Sequence, residues 1–130
     1  MDDSTSVPVS VRRRLPVERR GLTKRIHLRH PHGELKIYLS TGCFPDGSLG
    51  ELFIKADRSG STISGLLDAL SITASIALQY GVPVATLIDK WSRLRFEPSG
   101  TTSDPEMRQV SSIVDAVARW LARKYGPKEQ

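Results

Sequence analysis

The sequence predicts an α+β domain: a three-stranded antiparallel meander followed by three helices packed on one face. Three observations carry the prediction. Apolar and polar residues alternate through three successive runs between positions 22 and 56. Helical spacing of apolar residues takes over after position 62. The turns joining the three strands are short, which suits antiparallel neighbours.

The first strand is read from Leu22, Ile26 and Leu28, which alternate with Thr23, Arg25, His27 and Arg29. Pro31-His32-Gly33 is a turn signal. Leu35, Ile37 and Leu39 alternate with Lys36, Tyr38 and Ser40 as a second strand. Pro45-Asp46-Gly47-Ser48 then forms a strong turn, because proline presets φ and glycine accepts a positive one. The third strand is predicted over Leu49 to Ala56. The solvent face of this sheet would carry Arg25, His27, Lys36, Tyr38 and Lys55.

Ser59-Gly60-Ser61 offers an N-cap, and Ile63, Leu66, Leu67, Leu70, Ala74, Ala77 and Leu78 recur at helical spacing. Gly81 is placed to end this first helix and Pro83 to start the second. Val84, Leu87, Ile88, Trp91 and Leu94 form one face of the second helix, broken by Phe96-Glu97-Pro98-Ser99-Gly100. Ser103-Asp104-Pro105-Glu106 reads as the start of the third, a cap followed by proline and an early acid. Its buried stripe would be Val110, Ile113, Val114, Val117, Trp120 and Leu121. Both tryptophans follow the core period and are expected inside.

The 130 residues suit one domain, able to bury roughly two-thirds of its unfolded surface. We divide the chain into a basic, mostly disordered or extended arm (1–20), a folded body (21–126) and a tail (127–130). No run approaches the ~20 apolar residues of a membrane span, no apolar signal core follows Asp2 and Asp3, and a lone Cys43 cannot form an internal disulfide. A cytoplasmic protein without membrane contact is expected. The net charge of +5 resides in residues 1–30, which hold eight Lys/Arg and three acids; the remainder holds eleven of each sign. A localised basic run attracts polyanions by releasing their counterions. Arg12, Arg13, Arg14, Arg19, Arg20, Lys24 and Arg25 are therefore candidate contacts to phosphate or nucleic acid.

Other constellations are weaker. Ser59, Gly60, Ser61 and Thr62 join a strand to a helix N-terminus, where backbone N–H groups can hold an anion, but no Walker lysine follows. His27, His30 and His32 with Glu34 lack a fixed geometry and a cysteine pair; polar surface is expected and no metal site is assigned. No serine elbow and no paired carboxylates are present. Arg95, Phe96 and Glu97 sit beside a forced chain break, a structural corner and candidate contact site in which Arg95 and Glu97 pair or clamp an adjoining loop.

Many short segments in one order resemble a known family. They are Arg13-Arg14-Leu15-Pro16, Gly21-Leu22-Thr23, Lys36-Ile37-Tyr38-Leu39 with Thr41-Gly42, and Asp46-Gly47 with Leu49-Gly50-Glu51-Leu52-Phe53-Ile54. Leu78-Gln79-Tyr80-Gly81-Val82-Pro83 and Arg95-Phe96-Glu97-Pro98 with Gly100 are the most specific, and Ser112-Ile113, Asp115 and Arg119 close the series. Together they resemble the C-terminal accessory domain, the TSCPD domain, of adenosylcobalamin-dependent (class II) ribonucleotide reductases. The resemblance implies a role beside radical-based deoxyribonucleotide synthesis. In that family the chemistry belongs to a large barrel with a radical cysteine, a reducing cysteine pair and the cobalamin site. With one cysteine, this sequence has no counterpart to those groups, so no catalytic residue and no cofactor of its own are expected. The expected function is a stand-alone accessory module whose partner is a reductase catalytic chain. The alternatives are a nucleic-acid-binding protein using the arm and the basic sheet face, and a regulatory nucleotide-binding domain using the Ser59–Gly65 junction.

Overall fold

A computed structural model describes residues 11–57 and 60–127. Strands β1 (Thr23–His30), β2 (Gly33–Cys43) and β3 (Leu49–Ala56) form the expected antiparallel meander. Alternation sets its two faces. Ile26, Leu28, Leu35, Ile37, Leu39, Leu52 and Ile54 point inward and are fully or almost fully buried, while Arg25, Tyr38 and Lys55 line the outer face as neighbours across the strands. Each buried aliphatic side chain contributes about 1.5–3 kcal/mol.

The sheet has five strands instead of three, in the order β3-β2-β1-β4-β5. β4 (Gly100–Thr102) pairs with β1, and β5 (Gln109–Val110) pairs with β4. At two and three residues, these strands are too short to show a period.

Helix α1 (Thr62–Gln79) starts on the Ser61 hydroxyl, which accepts from the Ser64 N–H, and stops before Gly81 at φ +100°. It runs along the open edge of β3. Ser71 Oγ accepts from the Ile54 N–H at 2.8 Å, and Ser75 Oγ accepts from the Leu52 N–H at 2.9 Å and donates to the Leu52 carbonyl at 3.1 Å. Gln79 Nε2 donates to the Gly50 carbonyl at 3.0 Å. These positions recur every four residues on one helix face, so three side chains satisfy backbone groups of an edge strand. The helix is 18 residues long with a mean hydropathy of 1.3, enough by length and composition to cross a membrane, which qualifies the expectation from the sequence. Here its inner face is folded onto β3.

Helix α2 (Val84–Trp91) begins after Pro83 and ends three residues earlier than expected, leaving Leu94 exposed outside it. Helix α3 (Ile113–Tyr125) begins well after the predicted start. Asp104 and Pro105 instead cap a single 3-10 turn, Pro105–Met107, where the Asp104 carboxylate accepts from the Glu106 N–H at 2.9 Å. The cap of α3 is Ser112, whose hydroxyl accepts from the Asp115 N–H at 3.0 Å. The inner sheet face, α1 and α3 enclose one core, which takes in both Trp91 and Trp120.

Candidate functional site

The described half of the arm is extended and docked. The Arg13 N–H donates to the Gln79 carbonyl at 2.8 Å, and the Cys43 N–H donates to the Arg20 carbonyl at 2.8 Å. The Thr41 N–H donates to the Leu22 carbonyl at 2.9 Å and the Leu22 N–H donates to Thr41 Oγ1 at 2.8 Å, which prolongs the β1–β2 contact. The approach at Gly21 is so close that a Cβ there would lie 1.8 Å from the Thr41 carbonyl oxygen. Residues 1–10 lie outside the described residues.

Four of the seven basic residues selected as phosphate contacts are engaged internally. Arg12 Nε donates to Gln79 Oε1 at 2.7 Å. Arg13 reaches Asp46 at 3.1 Å and stacks 3.8 Å from the centroid of the Phe44 ring. Arg19 grips both Glu51 oxygens, at 2.5 and 3.2 Å. Lys24 pairs with Asp104 at 3.2 Å. Hydrogen bonds from Ser48, with help from Arg13, lower the Asp46 pKa to about 2. Arg14, Arg20 and Arg25 are exposed and form no ion pair among the described residues.

Of the candidate anion junction, Ser59 lies outside the described residues. Gly60 adopts φ +77°, Ser61 is the N-cap, and Thr62 opens α1. The capping bond from the Ser64 N–H to the Ser61 hydroxyl is the ordinary role expected for this junction.

The corner at Arg95, Phe96 and Glu97 is built by Asp115. Its side chain is fully buried. Oδ1 accepts from the Arg93 N–H at 2.8 Å and Oδ2 from the Ser111 N–H at 3.0 Å, and Arg119 closes on the same carboxylate at 3.3 Å. Burial alone would raise its pKa, but these donors together hold it below the ordinary value. Arg93 takes φ +65°, a left-handed conformation that this bond fixes. The Phe96 N–H donates to the Ser111 carbonyl at 3.0 Å, and Ser111 Oγ donates to the Leu94 carbonyl at 2.8 Å. Arg93, Leu94 and Phe96 are thus fixed through their backbones, while the side chains of residues 93–97 remain exposed. Of the two alternatives for Arg95 and Glu97, they do not pair with each other, and neither forms an ion pair among the described residues.

Corner, histidines and α1 meet around one cleft of about 360 Å³, lined by His30, Pro31, His32, Leu35, Ile63, Glu97, Pro98 and Ser99. Glu97-Pro98 is a cis peptide. The sequence flagged all three segments separately, and the fold brings them together. His30 Nδ1 accepts from the His32 N–H at 3.2 Å, while His27 Nδ1 faces Glu34 at 3.2 Å on the outer sheet face. No group of three or more metal-ligating side chains is assembled among the described residues.

A second, larger cleft of about 820 Å³ separates the arm from the 43–47 turn and is lined in part by Cys43 and Tyr125. Cys43 is 8% exposed, and its thiol faces the Tyr125 hydroxyl at 3.7 Å. That hydroxyl also meets Thr41 Oγ1 at 2.7 Å. Burial pushes the Tyr125 pKa above its ordinary value, so the phenol remains neutral.

A further ion network has no local signature in the sequence. Asp104, almost fully buried, receives Arg123 at 2.9 Å and Lys24 at 3.2 Å, and Arg123 also reaches Glu106 at 2.6 Å. Arg123 holds the Asp104 pKa far below the usual carboxylate range. An acid before proline resembles a helix cap, and its partners lie 19 and 80 positions away, so no local signal reveals them.

The TSCPD domain family matches residues 10–125. A vitamin B12-dependent ribonucleotide reductase of Streptantibioticus cattleyicolor is 44% identical over 119 residues, covering 92% of this chain and 19% of the relative. The enzyme of that name from Streptomyces clavuligerus is 44% identical over 92% of this chain and 12% of its own length. The one from Rhodopirellula baltica is 44% identical over 85% of this chain and 10% of its own length. The chain therefore spans less than a fifth of each of these relatives. No solved structure matches it. A match over nearly all of the folded residues, from the docked arm to Tyr125, shows that this chain belongs to the TSCPD domain family, a domain it shares with vitamin B12-dependent ribonucleotide reductases.

Proposed function

We propose that this domain serves deoxyribonucleotide synthesis by contact with a cobalamin-dependent reductase catalytic region and catalyses no step itself. One observation carries the proposal: the 119-residue match to such reductases involves a chain whose single thiol is buried against a tyrosine hydroxyl. Disulfide-driven reduction requires two thiols and access to them. The rigid, exposed corner from Arg93 to Glu97 is the contact surface this reading favours, because a side chain held out by its own backbone binds at low entropic cost.

No cofactor of its own is assigned to this chain. Adenosylcobalamin is larger than the ligands of ordinary pockets of roughly 300–1,000 Å³. The described histidines lie on the outer sheet face or beside the 360 Å³ cleft, so they do not fit the group.

The test has two parts. Purified chain with ribonucleotide, adenosylcobalamin and a dithiol should give no deoxyribonucleotide; turnover above blank refutes the proposal. An immobilised chain should retain a cobalamin-dependent reductase catalytic chain, and Arg95→Glu with Phe96→Ala should weaken that retention at least about tenfold, as loss of an aromatic and arginine hot spot does. Equal retention by wild type and double variant removes the corner from the interface.

A further inference from the structure

We propose that the outer face of α1 is a self-association surface on which two copies of this chain pack about a two-fold axis. Leu66, Ile72, Ile76 and Tyr80 point away from β3 and are between 37% and 65% exposed. Phe53, 41% exposed on the outer face of β3, extends the patch. Its continuity follows from the helix register. Lys55 Nζ meets Asp68 Oδ1 at 2.7 Å, so the outer face of β3 adjoins that side of α1. Phe53 lies two residues before Lys55 on the same strand face, and Ile72 lies one turn beyond Asp68, which brings the two side by side.

Area identifies the occupant. A large apolar or aromatic side chain presents on the order of 150–250 Å² when fully open, so these five fractions leave about 500 Å² on one face. A lone soluble chain rarely exposes a contiguous apolar patch beyond a few hundred Å². Two such faces together bury about 1,000 Å², the lower bound for a specific interface, before the exposed helix backbone is added. A two-fold axis sets a surface against itself, so a charged patch would meet its own sign. This face carries no charge: Asp68 is the helix's single ionised group and is already paired. A neutral apolar face is therefore compatible with its own copy. The exposed positions Gly65, Ala69 and Thr73 recur every four residues between the larger side chains and let two helices approach closely.

Sedimentation equilibrium of the 130-residue chain between about 1 and 100 μM tests the proposal in the range where such interfaces dissociate. A monomer–dimer equilibrium is expected, and Ile72→Glu should weaken it at least tenfold while Phe96→Glu leaves it unchanged. In a Cys43→Ser background, Ala69→Cys lies near the proposed axis and should oxidise to a disulfide-linked dimer, which gives an answer even if Ile72→Glu misfolds. A wild-type monomer throughout the range overturns the proposal. So does a dimer that Ile72→Glu leaves intact in a folded protein, or the absence of any cross-link through Cys at position 69.

Discussion

The arm and the corner both carry arginines, and the fold uses them in opposite ways. Along the arm, Arg12, Arg13 and Arg19 reach Gln79, Asp46 and Glu51, partners 32 to 67 positions away. At the corner, Arg93 is held by its backbone and Arg95 lies between the held residues Leu94 and Phe96, and both side chains are exposed. Residues 1–30 contain the net charge of the sequence, yet Arg13, Arg19 and Lys24 are paired with acids within the chain. The corner adds little to the charge count, yet its arginines are available. A local excess of charge therefore indicates where a chain is basic, and long-range pairing decides which of those charges can meet a partner.

The comparison can be broken at its strongest point by Asp115→Ala. Removing a buried carboxylate that accepts from Arg93 and Ser111 leaves donors unpaired beside Arg119, a loss of about 3–5 kcal/mol. Urea melting measures it, and hydrogen exchange at the Arg93 and Ser111 amides should accelerate first. If stability holds, the corner is not braced by this residue.

Asp104→Asn comes next, with a loss of about 2–4 kcal/mol at neutral pH because Arg123 and Lys24 lose their buried counter-charge. Its sign with pH is fixed. The folded-state pKa of Asp104 is depressed, so its contribution is complete above the unfolded value, about 3.9, and is lost as pH falls through the folded value. Wild type should therefore lose stability below about pH 4 more steeply than the variant. Parallel acid titrations would refute the assignment.

Gly21→Val tests the docked arm. Its Cβ would meet the Thr41 carbonyl, so the arm must move, at about 1–3 kcal/mol and with faster exchange at the Cys43 amide. Arg19→Ala should cost about 1 kcal/mol or less, since the pair with Glu51 is bidentate but partly exposed. Smallest of all, Phe96→Ala should change the denaturation midpoint by no more than about 0.5 kcal/mol, because the corner is fixed without that ring. A large loss from Phe96→Ala would show that the corner is part of the core.

These differences follow what a sequence can display. Period-two alternation located β1 to β3, and the 3.6-residue period located α1, because both patterns arise from one buried face. The corner was visible because proline and glycine interrupt a helical run. β4 and β5 escaped because two or three residues have no period, and Asp104-Pro105 imitated the start of α3 because a 3-10 turn and an α-helix share the same first cap. Ser112 with Asp115 three residues on was the better signal, a hydroxyl cap with an acid in the first turn. The docking of the arm was illegible, since Gln79, Asp46 and Glu51 show no local sign of what they bind.

The serine–serine–glutamine row of α1 has a consequence for assembly. An uncovered strand invites a visiting chain to add to the sheet, the route by which many β-proteins recruit peptides or aggregate. Here one margin of the sheet is sealed by hydroxyl and amide groups that stand in for a neighbouring strand, and the other tapers to two residues. Strand addition is thereby disfavoured at both margins, and a visitor is left to engage side chains on the faces and corners, where sequence rather than backbone pattern selects it.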